Sequence, residues 1–186
     1  AEVTSLTNFL NIRKHRMAQG MPVASQTLHF VFTGNPGTGK TTVARILAKI
    51  LYGFEILTTS HFIEADRATM VGGYVGQTAI KTNEVIARAT DGVLFIDEAY
   101  TLAKKGANDF GQEAIDTLLK KMEDLRERLV VIVAGYPREM AEFIESNPGL
   151  ESRFSRYIVF EDYHVPDLCQ ILELMCRSNA YELTPA

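Results

Sequence analysis

The octet Gly34-Asn35-Pro36-Gly37-Thr38-Gly39-Lys40-Thr41 constrains this chain more than any other stretch. It follows the run Leu28-His29-Phe30-Val31-Phe32-Thr33 and precedes Val43-Ala44-Arg45-Ile46-Leu47-Ala48, so the order reads strand, glycine-rich loop, helix. That setting fits G-x-x-x-x-G-K-[ST], in which backbone N–H groups and a helix N-terminus cradle phosphates, the Lys reaches the β and γ oxygens, and the Thr holds Mg²⁺. Glycines let the backbone approach a phosphate closely. Pro36 fixes its own φ ahead of a helix it would otherwise break. The residues expected at the phosphates are Asn35, Pro36, Gly37, Thr38, Gly39, Lys40, Thr41 and Thr42.

The rest of the chain supplies more strand and helix patterns. Glu2 to Gln19 spaces Val3, Leu6, Phe9, Leu10 and Met17 as one helix face, which suits packing on the edge of a core, and Gly20-Met21-Pro22 ends it. After the loop's helix, expected to stop near Tyr52-Gly53, His61-Phe62-Ile63-Glu64-Ala65 reads as a short second strand. Met70 to Gln77 is too rich in glycine for regular structure and reads as a loop. A helix follows from Thr78 to Thr90, then Val93-Leu94-Phe95-Ile96, a continuous apolar run typical of a strand buried on both faces. Lys104 to Asp109 reads as a polar, mobile loop, Gly111 to Glu127 as an amphipathic helix, and Leu129 to Ala134 as another buried strand. A short helix around Arg138 to Glu145 that leads to Asn147-Pro148-Gly149, the strand Tyr157-Ile158-Val159-Phe160 and a helix from Val165 to Ser178 complete the pass. Strands alternating with helices predict an α/β fold with a parallel sheet covered on both faces.

With 186 residues, 46% of them hydrophobic, the chain has enough apolar material for one substantial core. A net charge of −4 argues against sequence-independent nucleic-acid binding as its main role. No apolar run reaches the roughly 20 residues of a membrane span, and no signal-peptide pattern opens the chain, so a soluble, cytoplasmic protein without a membrane partner is expected. The start at Ala1 and the polar ending Tyr181 to Ala186 read as a fragment of a longer protein. Cys169 and Cys176 fall about 10 Å apart along one helix face, which argues against a mutual disulfide and suits two buried thiols in a reducing compartment. His15, His29, His61 and His164 are scattered and read as structural or solvated, and no Cys/His cluster has zinc spacing.

Asp97-Glu98 ends the buried run Val93 to Ile96 roughly 55 residues after the glycine-rich loop. In a parallel sheet, ligands lie beyond the carboxyl ends of the strands, so both carboxylates should project beside that loop. Asp97 suits coordination of Mg²⁺ opposite Thr41, and Glu98 suits a base that orients and polarises attacking water. The plain alternative, an Asp-Glu pair capping the next helix, explains neither the spacing nor the loop. The absence of an Asn-Lys-x-Asp signature disfavours GTP.

The chain resembles the AAA+ ATPases, and within them the CbxX/CfqX-like family that includes the red-type Rubisco activases and stage V sporulation protein K. The residues that carry the likeness are Phe32 to Ala44, Gly73 to Ala79, Gly92 to Tyr100, Asp109 to Ile115 and Val131 to Tyr136, nearly the whole chain in order. The resemblance implies a P-loop NTPase αβα sandwich with a five-stranded sheet of order 5-1-4-3-2. It implies a large subdomain over residues 1–163 and the first helix of a C-terminal helical lid over 164–186. It also implies ATP and Mg²⁺ as ligands, a homo-oligomeric ring when the lid is present, expected to be a hexamer, with nucleotide between subunits, and a protein client remodelled or threaded through the pore. Arg153 looks like the arginine that enters a neighbour's site, with Arg156 as its competitor, and a guanidinium matches the spreading charge of phosphoryl transfer. Tyr74-Val75-Gly76 is similar to the family's pore loop, where an aromatic can wedge against an extended chain. Lys40, Asp97, Glu98 and Arg153 are thus the expected catalytic group. Two departures stand out: Ala134-Gly135-Tyr136 occupies the place where many AAA+ proteins carry a polar sensor Asn or Thr, and the lid's sensor arginine is not in the sequence. A nucleotide-dependent assembly or scaffold module without threading is the alternative function, and a nucleic-acid motor is disfavoured for want of a basic, aromatic-interleaved patch.

Overall fold

The computed structural model describes residues 2–21, 27–74, 76–103 and 110–181. Pro22, Val75, the polar loop 104–109 and the tail 182–186 fall outside the described residues. Five strands, β1 (Phe30–Gly34), β2 (Phe62–Ala65), β3 (Val93–Ile96), β4 (Val130–Gly135) and β5 (Arg156–Phe160), form one sheet in the order β2-β3-β4-β1-β5, every pair parallel. This is the expected order read from the other edge. Among the described residues eight α-helices accompany them: α1 (Glu2–Ala18), α2 (Lys40–Gly53), α3 (Arg67–Met70), α4 (Gln77–Ala89), α5 (Gly111–Asp124), α6 (Pro137–Glu145), α7 (Pro148–Arg153) and α8 (Val165–Ser178).

The central strands are apolar throughout because both of their faces are covered. Alternate residues of β1, β3 and β4 divide between two cores. Val31, Leu94, Ile96, Val131 and Val133 pack with Met70, Ile86, Leu118, Met140 and Phe143 on one face. Phe30, Phe32, Phe95 and Ile132 pack with Ala44, Leu47, Leu51 and Leu10 on the other. Leu10, together with partly buried Phe9, docks α1 on the core as its spacing suggests. Removing a ring such as Phe95, 1% exposed, would cost about 3–5 kcal/mol. The edge strands are less covered, and β5 turns Tyr157 and Val159 outward.

Three local readings change. The stretch read as a loop from Met70 begins inside α3, which Asp66 caps: its carboxylate accepts from Thr69 N at 2.9 Å while Thr69 Oγ1 accepts from Asp66 N at 2.9 Å. Asn147-Pro148-Gly149, given no element from the sequence, is a helix start, with Asn147 Oδ1 accepting from Gly149 N at 2.8 Å and Pro148 in the first turn of α7. The thiols of α8 are not buried, since Cys169 is exposed and Cys176 intermediate on a helix with no buried residue. Among the described residues, no helix is long and apolar enough to cross a membrane.

His29 lies at the amino end of β1, fully buried, and its Nδ1 accepts from Val131 N at 3.0 Å. Its ring meets Phe154 at 5.9 Å between centroids. Burial first, and then the charge of Arg153, push the imidazole pKa down to about 4. The unfolded chain therefore takes up a proton near pH 6.5 that the folded chain refuses until about 4, and stability falls with pH across that window. We expect this group alone to remove about 2.5 kcal/mol between pH 7.5 and 4.5. His29→Asn keeps an acceptor for Val131 and should lose correspondingly less on acidification in urea unfolding; identical pH slopes for the two proteins would refute the assignment.

Candidate functional site

At the carboxyl end of β1 the chain must pass very close to β5. A Cβ placed on Gly34 would lie 2.4 Å from the carbonyl oxygen of Phe160, so only glycine fits. The loop then turns through left-handed Gly37 and Gly39, at φ +76° and +89°. Four hydrogen bonds brace it from behind. Thr38 Oγ1 donates to Asn35 O at 2.7 Å, Tyr163 Oη donates to Thr38 O at 3.1 Å, and Asn35 Nδ2 donates to both oxygens of Asp162 at 2.9 Å. Helix α2 begins at Lys40 without a side-chain cap, so its first N–H groups keep their donors for a ligand.

Lys40 folds back on its own loop, Nζ donating to Gly34 O and Asn35 O at 2.8 Å each. Burial lowers its pKa and the nearby Asp97 carboxylate raises it. Asp97 and Glu98 leave the end of β3 on the other side of the same cavity. Asp97 N donates to Ala65 O at 2.9 Å, and Asp97 Oδ1 accepts from Glu98 N at 3.0 Å. Glu98 sits at φ +47°, a left-handed backbone uncommon outside glycine. A short 3-10 helix, Ala99–Ala103, follows; Thr101 N donates to Glu98 O at 2.8 Å and the Arg67 guanidinium donates to Thr101 O at 2.7 Å.

The cavity, about 380 Å³, is walled by Gly37, Lys40, Thr41 and Thr42 on one side and by Asp97 and Glu98 on the other, with Gly135 and Tyr136 from the end of β4 closing it. A second cavity of about 530 Å³ shares Asp97 and Glu98 and is bounded by Asp66, Arg67 and Thr101. Among the described residues no cluster of three or more acidic, His or Cys side chains could cage a metal. Thr41 and Asp97 are instead hard oxygen donors lining the same cavity, the kind of ligand by which Mg²⁺ is held with a substrate's phosphates completing its shell. The residues present therefore fit a magnesium–nucleotide pair.

The other expected residues are elsewhere. The Asn35 amide is directed to Asp162, and Pro36 joins the cavity wall. Arg153 stands at the opposite end of the sheet, on α7, its Nη1 3.3 Å from Gly149 O and its Nη2 3.6 Å from Glu123 Oε2. Arg156 pairs in register with Phe30, and its guanidinium lies 5.0 Å over the Phe9 ring. Tyr74 is 74% exposed, in a loop whose far stem is fixed where Thr78 Oγ1 accepts from Gly72 N at 2.9 Å. Gly76, at φ +81°, precedes α4. Sequence reasoning missed Tyr136, Asp162, Tyr163 and Arg67, whose places at the site come from tertiary packing rather than from a local motif.

Tyr100 packs where a residue-135 side chain would go. A Cβ on Gly135 would lie 2.8 Å from Tyr100 Cδ1 and 2.9 Å from Met140 Sδ. The Tyr100 and Tyr136 ring centroids are 6.1 Å apart, and burial, followed by the charge of Glu98, pushes the Tyr100 phenol up to about 12.

The sequence profile of the ATPase family associated with various cellular activities (AAA) matches residues 30–162. Stage V sporulation protein K of Bacillus subtilis is 50% identical over 173 residues, 93% of this chain and 54% of that protein. Protein CbxX, chromosomal, of Cupriavidus necator is 45% identical over 182 residues, 97% of this chain and 57% of that protein. The ESX-3 secretion system protein EccA3 of Mycolicibacterium smegmatis is 47% identical over 184 residues, 97% of this chain and 30% of that protein. The chain thus spans about half or less of the length of these relatives. A crystal structure of the FIGL-1 AAA domain in complex with ADP superposes with a TM-score of 0.65 at 18% identity, covering 96% of this chain and 59% of that one, a likeness of fold.

Because the space at residue 135 is filled, Gly135→Ala should lower stability by about 1–3 kcal/mol in denaturant titration. Adding Tyr100→Ala should recover part of that loss, and equal stability of Gly135→Ala and the parent would show that the ring yields freely.

Proposed function

The chain belongs to the AAA family of ATPases, and we propose that it binds and hydrolyses Mg·ATP and uses the cycle to remodel or thread a protein partner through a homo-oligomeric ring. The observation that carries this reading is the single cavity walled on one side by the glycine-rich loop and on the other by Asp97 and Glu98. Loop amides and Lys40 bind the phosphates, and the ammonium exchanges its two loop carbonyls for more strongly charged acceptors. Thr41 and Asp97 hold the magnesium, which when bound neutralises phosphate charge. Glu98 accepts the proton of a water attacking the γ-phosphorus, as the bond to the β–γ bridging oxygen breaks and ADP leaves.

Arg153 acts on a neighbouring subunit's nucleotide in this reading. Its distance from its own cavity, at the other end of β1, suits a role in trans. Residues 1–163 form the large subdomain, and 164–186 the first helix of a lid. Leu168, Leu172 and Met175 of α8, each half exposed or more, suit further helices packing there. Exposed Tyr74, with Val75 and Gly76, grips the client, which favours threading over a purely scaffolding ring.

Glu98→Gln should keep ATP affinity within about threefold and cut turnover at least ~100-fold in a steady-state assay. Undiminished turnover would remove Glu98 from its role. Tyr74→Ala should reduce translocation of an unfolded reporter protein about tenfold without weakening ATP affinity. Equal translocation by both proteins would favour the scaffold.

A further inference from the structure

We propose that Tyr163 is a positioning residue for the phosphates, turning the Gly39 N–H toward them by holding the carbonyl of the same peptide group. The proposal rests on the nucleotide-binding part of the reading above. Tyr163 Oη donates to Thr38 O at 3.1 Å from behind the loop. The peptide between Thr38 and Gly39 is trans, so its carbonyl and its N–H point in opposite directions. With the carbonyl held at the rear, the N–H is turned to the front, where Gly39 lines the cavity beside Lys40 and Thr41. Among the described residues no group of the chain accepts from that N–H, which leaves it for a ligand.

Two neighbouring residues of the segment after β5 hold the loop at two places. Asp162 accepts from the Asn35 amide with both carboxylate oxygens, at 2.9 Å each, and so fixes the start of the loop. Tyr163 fixes the peptide through which the loop enters α2. Between them Thr38 Oγ1 closes the turn on Asn35 O at 2.7 Å. Gly39 is left-handed at φ +89°, and a Cβ there would lie 3.0 Å from Tyr163 Oη, so the phenol sits where a side chain would go. Tyr163 is 40% exposed and belongs to neither core, so core packing does not account for its place. A hydroxyl that donates to a peptide oxygen also polarises that peptide, which makes its N–H a stronger donor.

Tyr163→Phe keeps the ring and removes the donor. In calorimetric titration we expect its Kd for ADP to rise about 5- to 20-fold, and its Kd for magnesium pyrophosphate, which has no base, to rise by a similar factor. Affinities within about twofold of the parent would overturn the proposal. A loss confined to ADP would overturn it too, because Tyr163 would then serve the base. The peptide itself can be watched by NMR. Thr33-Gly34 and Thr38-Gly39 are the only Thr-Gly pairs of the sequence, so 13C carbonyl labelling of threonine with 15N labelling of glycine leaves two correlations, and Thr38→Ser removes one of them. In Tyr163→Phe the Thr38-Gly39 correlation should move before any ligand is added, and its amide proton should shift downfield less on adding ADP than in the parent. An unmoved correlation, or an identical response to ADP, would sink the proposal even if affinity fell. None of this needs turnover. A parent that bound both probes without hydrolysing ATP would refute the hydrolytic reading alone, and a Tyr163→Phe protein that bound like a hydrolysing parent would refute only the role of Tyr163.

Discussion

The parallel pairing of β1 between β4 and β5 is the constraint on which the rest depends. Phe30 stands level with Ile132 and Arg156, and Gly34 with Phe160. A parallel register brings all the carboxyl ends to one side, so the glycine-rich loop, Asp97-Glu98 and Gly135-Tyr136 emerge together without any contact between them in sequence. The close passage of Gly34 past Phe160 sets where the loop starts, and burial of both sheet faces keeps the register from slipping. The site inherits its precision from the core.

Polarity follows the same geometry. Nearly all side chains within the three central strands are apolar, and the functional groups sit just past their ends, where main-chain groups can hold them. Lys40 rests on two carbonyls, Asp97 on the amide of Glu98, and Thr38 on the carbonyl of Asn35. These are local, neutral partners that a more highly charged ligand can displace or join. Behind the loop, the Asp162 and Tyr163 contacts tie its shape to the segment leading into α8. A change in the angle of α8 would therefore be felt at the phosphate cradle.

What was legible in the sequence is what a short stretch encodes by itself. The octet needs glycines at fixed places, and Val93 to Ile96 announces a doubly covered strand by having no polar residue before Asp97. Helices α3 and α7 were overlooked because a single turn has no periodicity, and their caps, Asp66 and Asn147, look like ordinary turn residues. The thiols of α8 were misjudged because an amphipathic pattern shows a face suited to burial, not whether anything covers it. Tyr100 is the sharpest case. Its sequence neighbours mark it only as an aromatic after Asp97-Glu98, and its place against Gly135 arises from two strands separated by roughly 35 residues.

Strand β1 also carries a consequence for a ring. One end holds the phosphate loop, and the other holds His29 against Phe154 and within the field of Arg153. In the proposed assembly these two ends serve different nucleotides, the loop its own and Arg153 the neighbour's. A buried strand of five residues is stiff, and packed interiors transmit displacement rather than absorb it. His29 accepts from Val131 at the level where β1 meets β4, so a shift of α7 presses on the strand that supports Gly34. If Arg153 serves a neighbour's nucleotide as proposed, closing one site would strain the strand that carries the next, and a fully buried, neutral imidazole suits that junction because it adds no charge to the displacement.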